Sequence, residues 1–366
     1  MNINEAPEYH SNLRLTWLRY KKHKAALFSL WILGFFILLT ILGDFFMPNS
    51  PFHQFEGQNY SSIRMFNFSN EKDQFSIRPY INKYKRAIDP NTFESIWKAL
   101  DNEKHPIFFL SEGFEYRLLG IIKMNTHLFG TEHGPPIFPF GTDSLGRCIF
   151  SRTIYASRIS ISVAFLGVFI TIIISILLGG ISGYYGGVVD EIMQRISELL
   201  LTIPKLPLWM ALAAAVPGNW SIMKVYLAIV VIASLTSWPY AARGIRSKII
   251  SIKNEDYIQA ARSYGAKDKR IIFSHLMPNL ASYIIVNVSL AIPGMILMET
   301  SLSFLGIGLR KPAISWGVLL QEAQDFQAII IHPWLLIPGI FVVLAIVAFN
   351  FVGDGLRNAF DPYQKA

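Results

Sequence analysis

Cysteine is nearly absent: Cys148 is the one thiol in 366 residues, which excludes an intrachain disulfide and any multi-cysteine metal site. Charge is scarce as well, at 16% of residues against about 25% in an average soluble chain. Catalytic signatures are missing too. The glycines at 179, 180, 183, 186 and 187 lack the Gly-Lys-Ser or Gly-Lys-Thr that would hold a nucleotide's outer phosphates, and read as a helix end and tight turn. Gly306 and Gly308 begin a dinucleotide pattern that Lys311 breaks. Neither a Gly-x-Ser-x-Gly elbow nor a His-Glu-x-x-His helix occurs. The expectation is a chain that catalyses nothing by itself and binds no metal or cofactor.

What is abundant is apolar surface. Hydrophobic residues make up 52% of the chain, aromatics 14%, and the mean hydropathy is +0.36, the composition of a polytopic membrane protein. The net charge of +8 comes largely from lysine and arginine beside apolar runs, which fits membrane orientation. Nucleic-acid recognition motifs are not found, so no nucleic-acid partner is expected.

Taken in order, residues 1–24 are polar and basic, with Arg14, Arg19, Lys21, Lys22 and Lys24 before an apolar run over 25–47. That run reaches about 34 Å as a helix, and no small-residue cleavage pattern follows Met47, so a retained span is expected with the N-terminus inside. Residues 48–157 hold no comparable run but many aromatics, which argues for a folded extracytoplasmic lobe rather than a disordered tether. His127 and His133 read there as loop residues, since no ligand-spaced partners accompany them.

Residues 158–355 read as five more spans, near 159–183, 196–216, 223–242, 280–305 and 334–352. The 196–216 run is interrupted by Pro204, Lys205 and Pro207, which favours a cavity-lining helix, because freed backbone groups need partners in the membrane. Glu299 places a carboxylate inside an apolar span; it either faces a cavity or partner, or is held by hydrogen bonds at a helix interface. Lys205 is a second candidate lining residue. Six crossings return the tail 356–366 to the inside, and the basic segment 243–279 falls on the same side. The expected fold is therefore an all-α polytopic membrane protein with six transmembrane helices and a large loop after the first.

Between two of these runs lies a polar island, NEDYIQAARSYGAKDKRIIFSHLMPN, over 254–279. Asn254 can cap a helix whose first turn carries Glu255 and Asp256. Tyr257, Ala260, Ala261 and Tyr264 recur at helical spacing. Gly265 stands where a helix end wants a left-handed residue, Asp268 can open a second helix, and Pro278 suits the start of the next. Physics alone leaves two uses open: docking a partner, or lying on the lipid surface.

The island's Gln259, Ala260, Ala261, Gly265 and Pro278 resemble the EAA element of bacterial ABC importer permeases, with glutamine in place of its glutamate. FGTDSLGRCIFSRTIYASRIS, GYYGGVVDEIMQRISE, SLSFLGIGLRKPAISWG and FVGDGLRNAFDP occur in the order of the C-type permeases of dipeptide and oligopeptide ABC importers, and HLFG resembles the longer-looped, oligopeptide-type members. Cys148 departs from the family's usual aspartate and Ala156 from its frequent glycine. The resemblance implies a type I importer permease fold in the bacterial plasma membrane and an ATPase-coupling role for the island, Tyr257 included. It also implies a homologous B-type permease subunit, two ABC ATPase subunits holding ATP and magnesium, and an extracytoplasmic peptide-binding protein. Rival classes are an ion-coupled secondary transporter, which would need paired intramembrane charges and usually a repeat that is not evident here, and a membrane-anchored sensor.

Overall fold

A computed structural model describes residues 12–64, 66–69, 75–88, 95–118, 120–131 and 134–360; His133 and the last six residues lie outside them. In chain order the elements are α1 (Asn12–Lys22), α2 (Lys24–Phe46), β1 (Asn67–Ser69), β2 (Phe75–Ile88), β3 (Ser95–Pro106), β4 (Phe108–Leu118), β5 (Ile122–Gly130), α3 (Ile149–Tyr185), α4 (Gly187–Thr202), α5 (Lys205–Ala214), α6 (Ile222–Ile252), α7 (Asp256–Ser263), α8 (Asp268–Phe304), α9 (Trp316–Leu320), α10 (Phe326–Ile331) and α11 (Ile337–Phe360). Among the described residues five helices are long and apolar enough to cross a membrane: α2, α3, α6, α8 and the run Pro333–Phe360 that contains α11. The pair α4 and α5, bent by 90° at its break, would make a sixth if it is one span. The chain is thus a mostly helical, multi-pass membrane protein.

The all-α expectation needs correction, because among the described residues five strands lie between Asn67 and Gly130. β1, β2 and β3 form one antiparallel sheet, and β4 pairs with β5 in another. The aromatic and β-branched residues of this segment suit a pleated, half-buried surface. Ile81, Ile107 and Ile137 form its small core, with Phe66 and Phe129 packed against them. A second difference is that α3 begins at Ile149, inside the segment 48–157 read as external lobe. Its first turns carry Arg152 and Arg158, charges that break an apolar reading. In the structure each charge has protein partners. Arg152 donates to the Pro51 carbonyl at 3.1 Å, and Arg158 pairs with Asp44 at 2.7 Å.

The chain divides into two compact units. One holds Phe35–Ser162 and Ser303–Val342. There Trp316 is fully buried, its indole N–H donating to the Thr153 carbonyl at 3.0 Å. His127 is buried with its ring nitrogens 2.9 and 3.0 Å from the carbonyl oxygens of Asp44 and Phe114. Cys148 is buried, and burial pushes its thiol up.

The other unit holds Val163–Leu302 together with the chain through Gly34 and from Val343 onward. Here α3 and α6 approach backbone to backbone. A Cβ at Gly179 would lie 2.4 Å from the Ala242 carbonyl oxygen, and one at Gly183 would lie 2.9 Å from that of Arg246. Small residues four apart allow this approach between apolar helices. Only Gly186 and Gly187, at φ +69° and +58°, form the turn that the glycine cluster suggests; the others lie within α3.

Candidate functional site

The island at 254–279 begins one residue later than the sequence suggests. Glu255, not Asn254, is the extended residue before α7, and its amide still donates to the Ile252 carbonyl at 3.0 Å as the chain leaves α6. The far end follows the glycine expectation. Gly265 has φ +78°; its N–H reaches the Arg262 carbonyl at 2.9 Å, and the Ala266 N–H reaches that of Ala261 at 3.0 Å. This pair of bonds is the Schellman arrangement, which satisfies carbonyls that a helix end leaves free. A third expectation fails: no break separates a second short helix from the following span. α8 is continuous from Asp268, and a π-helical segment, Ile271–Leu276, stands just before Pro278. There the Met277 N–H reaches back five residues to Ile272, which widens the helix immediately before a residue with no N–H.

α7 has two faces because only one of its side chains is fully buried. Ile258 packs with Tyr184, Ile245, Ile249, Ile271, Leu276 and Leu280. Tyr257, Gln259, Ala260, Gly265 and Pro278 are exposed, Ala261 is half-buried, and Tyr264 is 93% exposed. Polar bonds tie the element to its neighbours. The Tyr184 hydroxyl donates to Asp268 at 2.6 Å, Lys253 donates to the Gly183 carbonyl at 3.0 Å, and Asn279 donates to the Tyr257 hydroxyl at 3.1 Å. Next to this set, Asp190 accepts both arms of the Arg246 guanidinium at 2.5 Å and the Ser182 hydroxyl at 2.5 Å. Tyr184, Ile258 and Asp190 were not singled out by sequence reasoning. The spacing of Tyr184 and Asp190 within GYYGGVVD carries no local signal of the partners they meet.

Lys205 and Glu299 are not brought together. The 90° break between α4 and α5 falls at Ile203 and Pro204, where proline denies the helix a donor. Lys205, the first residue of α5, stands in the wall of a cavity of about 340 Å³. Trp209, Ser237, Tyr240, Asn287 and Met295 share that wall, with the Trp209 indole fixed on the Thr236 hydroxyl at 2.9 Å. Glu299 lies one turn beyond Met295 in α8, fully buried and outside the lining of this cavity.

Comparison with known proteins identifies the family. Residues 175–365 match the model of the family described as binding-protein-dependent transport system inner membrane component, and residues 11–64 match the N-terminal transmembrane domain of oligopeptide transport permease C. All five strands fall between these two matches. The oligopeptide transport system permease protein OppC of Bacillus subtilis is 38% identical over 61% of this chain and 71% of its own length. The dipeptide permease DppC of the same organism is 41% identical over 61% and 68%, and OppC of Haemophilus influenzae is 40% identical over 62% and 70%. With a family model matched over more than half of its length and relatives of this extent, the chain belongs to the family of binding-protein-dependent transport system inner membrane components, as a permease similar to OppC and DppC.

Proposed function

We propose that the chain is one half of the transmembrane pore of an ATP-driven importer of oligopeptides or dipeptides in the bacterial plasma membrane, with both termini cytoplasmic. A homologous B-type permease completes the pore, an extracytoplasmic binding protein delivers cargo, and two ABC ATPase subunits supply the sites for ATP and magnesium. The observation that carries the reading is the two-sided α7. Ile258 anchors it, the Gly265 turn ends it, and Tyr257, Gln259, Ala260 and Tyr264 face outward for a partner. Ala261, Gly265 and Pro278 shape the surface that an ATPase subunit would grip.

Closure of the ATPases on ATP would displace α7. The Tyr184–Asp268 and Lys253–Gly183 bonds would pass that displacement to α3, and the Ile258 cluster would pass it to α6 and α8. Lys205 and Glu299 are assigned to the cargo route or its supporting wall. The peptide cargo is carried over from the names of the relatives.

Reconstitution of the chain with its second permease, ATPases and binding protein in vesicles tests the reading. ATP-dependent peptide uptake is expected, and the chain purified alone should hydrolyse no ATP above background. Uptake driven by an ion gradient without ATP would overturn the proposal.

A further inference from the structure

We infer that the cavity beside Lys205 is a subsite for a carboxylate, and that during import it holds the free C-terminal carboxylate of the peptide. This rests on the transport reading above and adds a residue and a ligand group to it.

The cavity walls supply one cation and several neutral hydrogen-bonding groups, the hydroxyls of Ser237 and Tyr240 and the amide of Asn287, but no carboxylate. Among the described residues Lys205 has no ion-pair or hydrogen-bonding partner, whereas the nearby Glu198 is paired with Arg195 and Arg243. A cation within a predominantly apolar helical segment is costly without a counter-charge. Lys205 is exposed at the cavity wall, so a carboxylate entering the cavity can reach it and supply the missing counter-charge. Lys205 also opens α5, where its own amide and that of Leu206 stand in the first turn and add positive potential, while Pro204 and Pro207 carry no N–H. Trp209 and Met295 line the same space, so an apolar side chain next to the carboxylate has surface to cover. The volume, about 340 Å³, lies at the low end of small-ligand pockets and suits the end of a peptide rather than its whole length.

The test compares trialanine with its C-terminal amide, which has the same shape without the negative charge. Uptake of both is measured in vesicles carrying the full complex, with wild-type chain, Lys205→Gln and Lys205→Arg, at equal amounts of assembled complex. The binding protein is the same throughout, so its own preference for one peptide cancels when variants are compared. The ratio of trialanine to amide uptake should fall by about two- to fivefold in Lys205→Gln, the scale of losing one solvent-accessible ion pair, and should be largely restored in Lys205→Arg. An unchanged ratio in Lys205→Gln would overturn the subsite while leaving peptide transport intact. ATP-dependent uptake of neither peptide by the wild-type complex would instead defeat the transport reading, and the subsite with it.

Discussion

Gly265 is the residue at which local geometry speaks most directly. Its φ is +78°, and a Cβ built there meets nothing within 4 Å, so a substitution suffers from backbone strain rather than collision. Gly265→Val should cost about 1–3 kcal/mol locally, too little to prevent membrane insertion. The variant should reach the membrane in normal amount but lose stimulated ATP hydrolysis in the assembled complex, and Gly265→Ala should be milder. Fully stimulated hydrolysis by the valine variant would make α7 a passive surface helix.

Glu322 offers a pH test at the same scale. Burial by itself would raise its carboxyl, but Lys311 at 2.7 Å and the N–H and hydroxyl of Ser144 at 3.1 and 2.8 Å more than offset burial and hold it below the ordinary carboxylate range. A depressed folded value means stability present in full above the unfolded value, about 4.3, and lost as pH falls through the folded one. At pH 7 the Glu322→Gln variant should melt at lower temperature than wild type, and the gap should shrink as the medium is acidified below about pH 4. A gap independent of pH would show that the charge contributes nothing.

Among the elements, the pairing of α3 with α6 depends on glycine's missing side chain. A methyl group at Gly179 would sit 2.4 Å from the Ala242 carbonyl oxygen and 2.9 Å from its Cα, so the backbones themselves must separate. Gly179→Ala should therefore destabilise by about 1–3 kcal/mol, the usual scale of overpacking, read as a fall in thermal midpoint in detergent. Gly34→Ala, with nothing within 4 Å of the added atom, serves as the control and should leave the midpoint unchanged. Equal midpoints for the two variants would show that α3 and α6 do not rely on this close approach.

For the whole molecule the testable quantity is orientation. The basic residues of 243–279 should lie inside and the strands of 67–130 outside. Cys148 is buried and should stay unlabelled in the folded chain. With that residue replaced by serine, cysteine at the exposed position Glu115 should react with an impermeant thiol reagent in intact cells. Cysteine at the exposed position Ser251 should react only after the inner face is opened. The opposite labelling would invert the topology.

Five spans were legible from the chain because lipid demands about 20 apolar residues per crossing and satisfies no backbone group, so such a helix must announce itself locally, whereas the run 196–216 falls on the bent pair α4 and α5. α2 at Lys24–Phe46 nearly coincides with the run 25–47, and the Gly265 turn is equally local, since one residue without a side chain meets one backbone need. Other features came from groups distant in sequence. The start of α3 at Ile149 places Arg152 where it donates to the Pro51 carbonyl and Arg158 where it pairs with Asp44. Lys205 had an interrupted helix as its signal, but the cavity around it is built from α3, α5, α6 and α8 together. The roles of Gly179 and Gly183 required α6 to lie against them. Solvent preference and backbone freedom belong to single residues and can be read from order alone, whereas close approach, charge satisfaction and cavity shape belong to residues that only folding brings within reach.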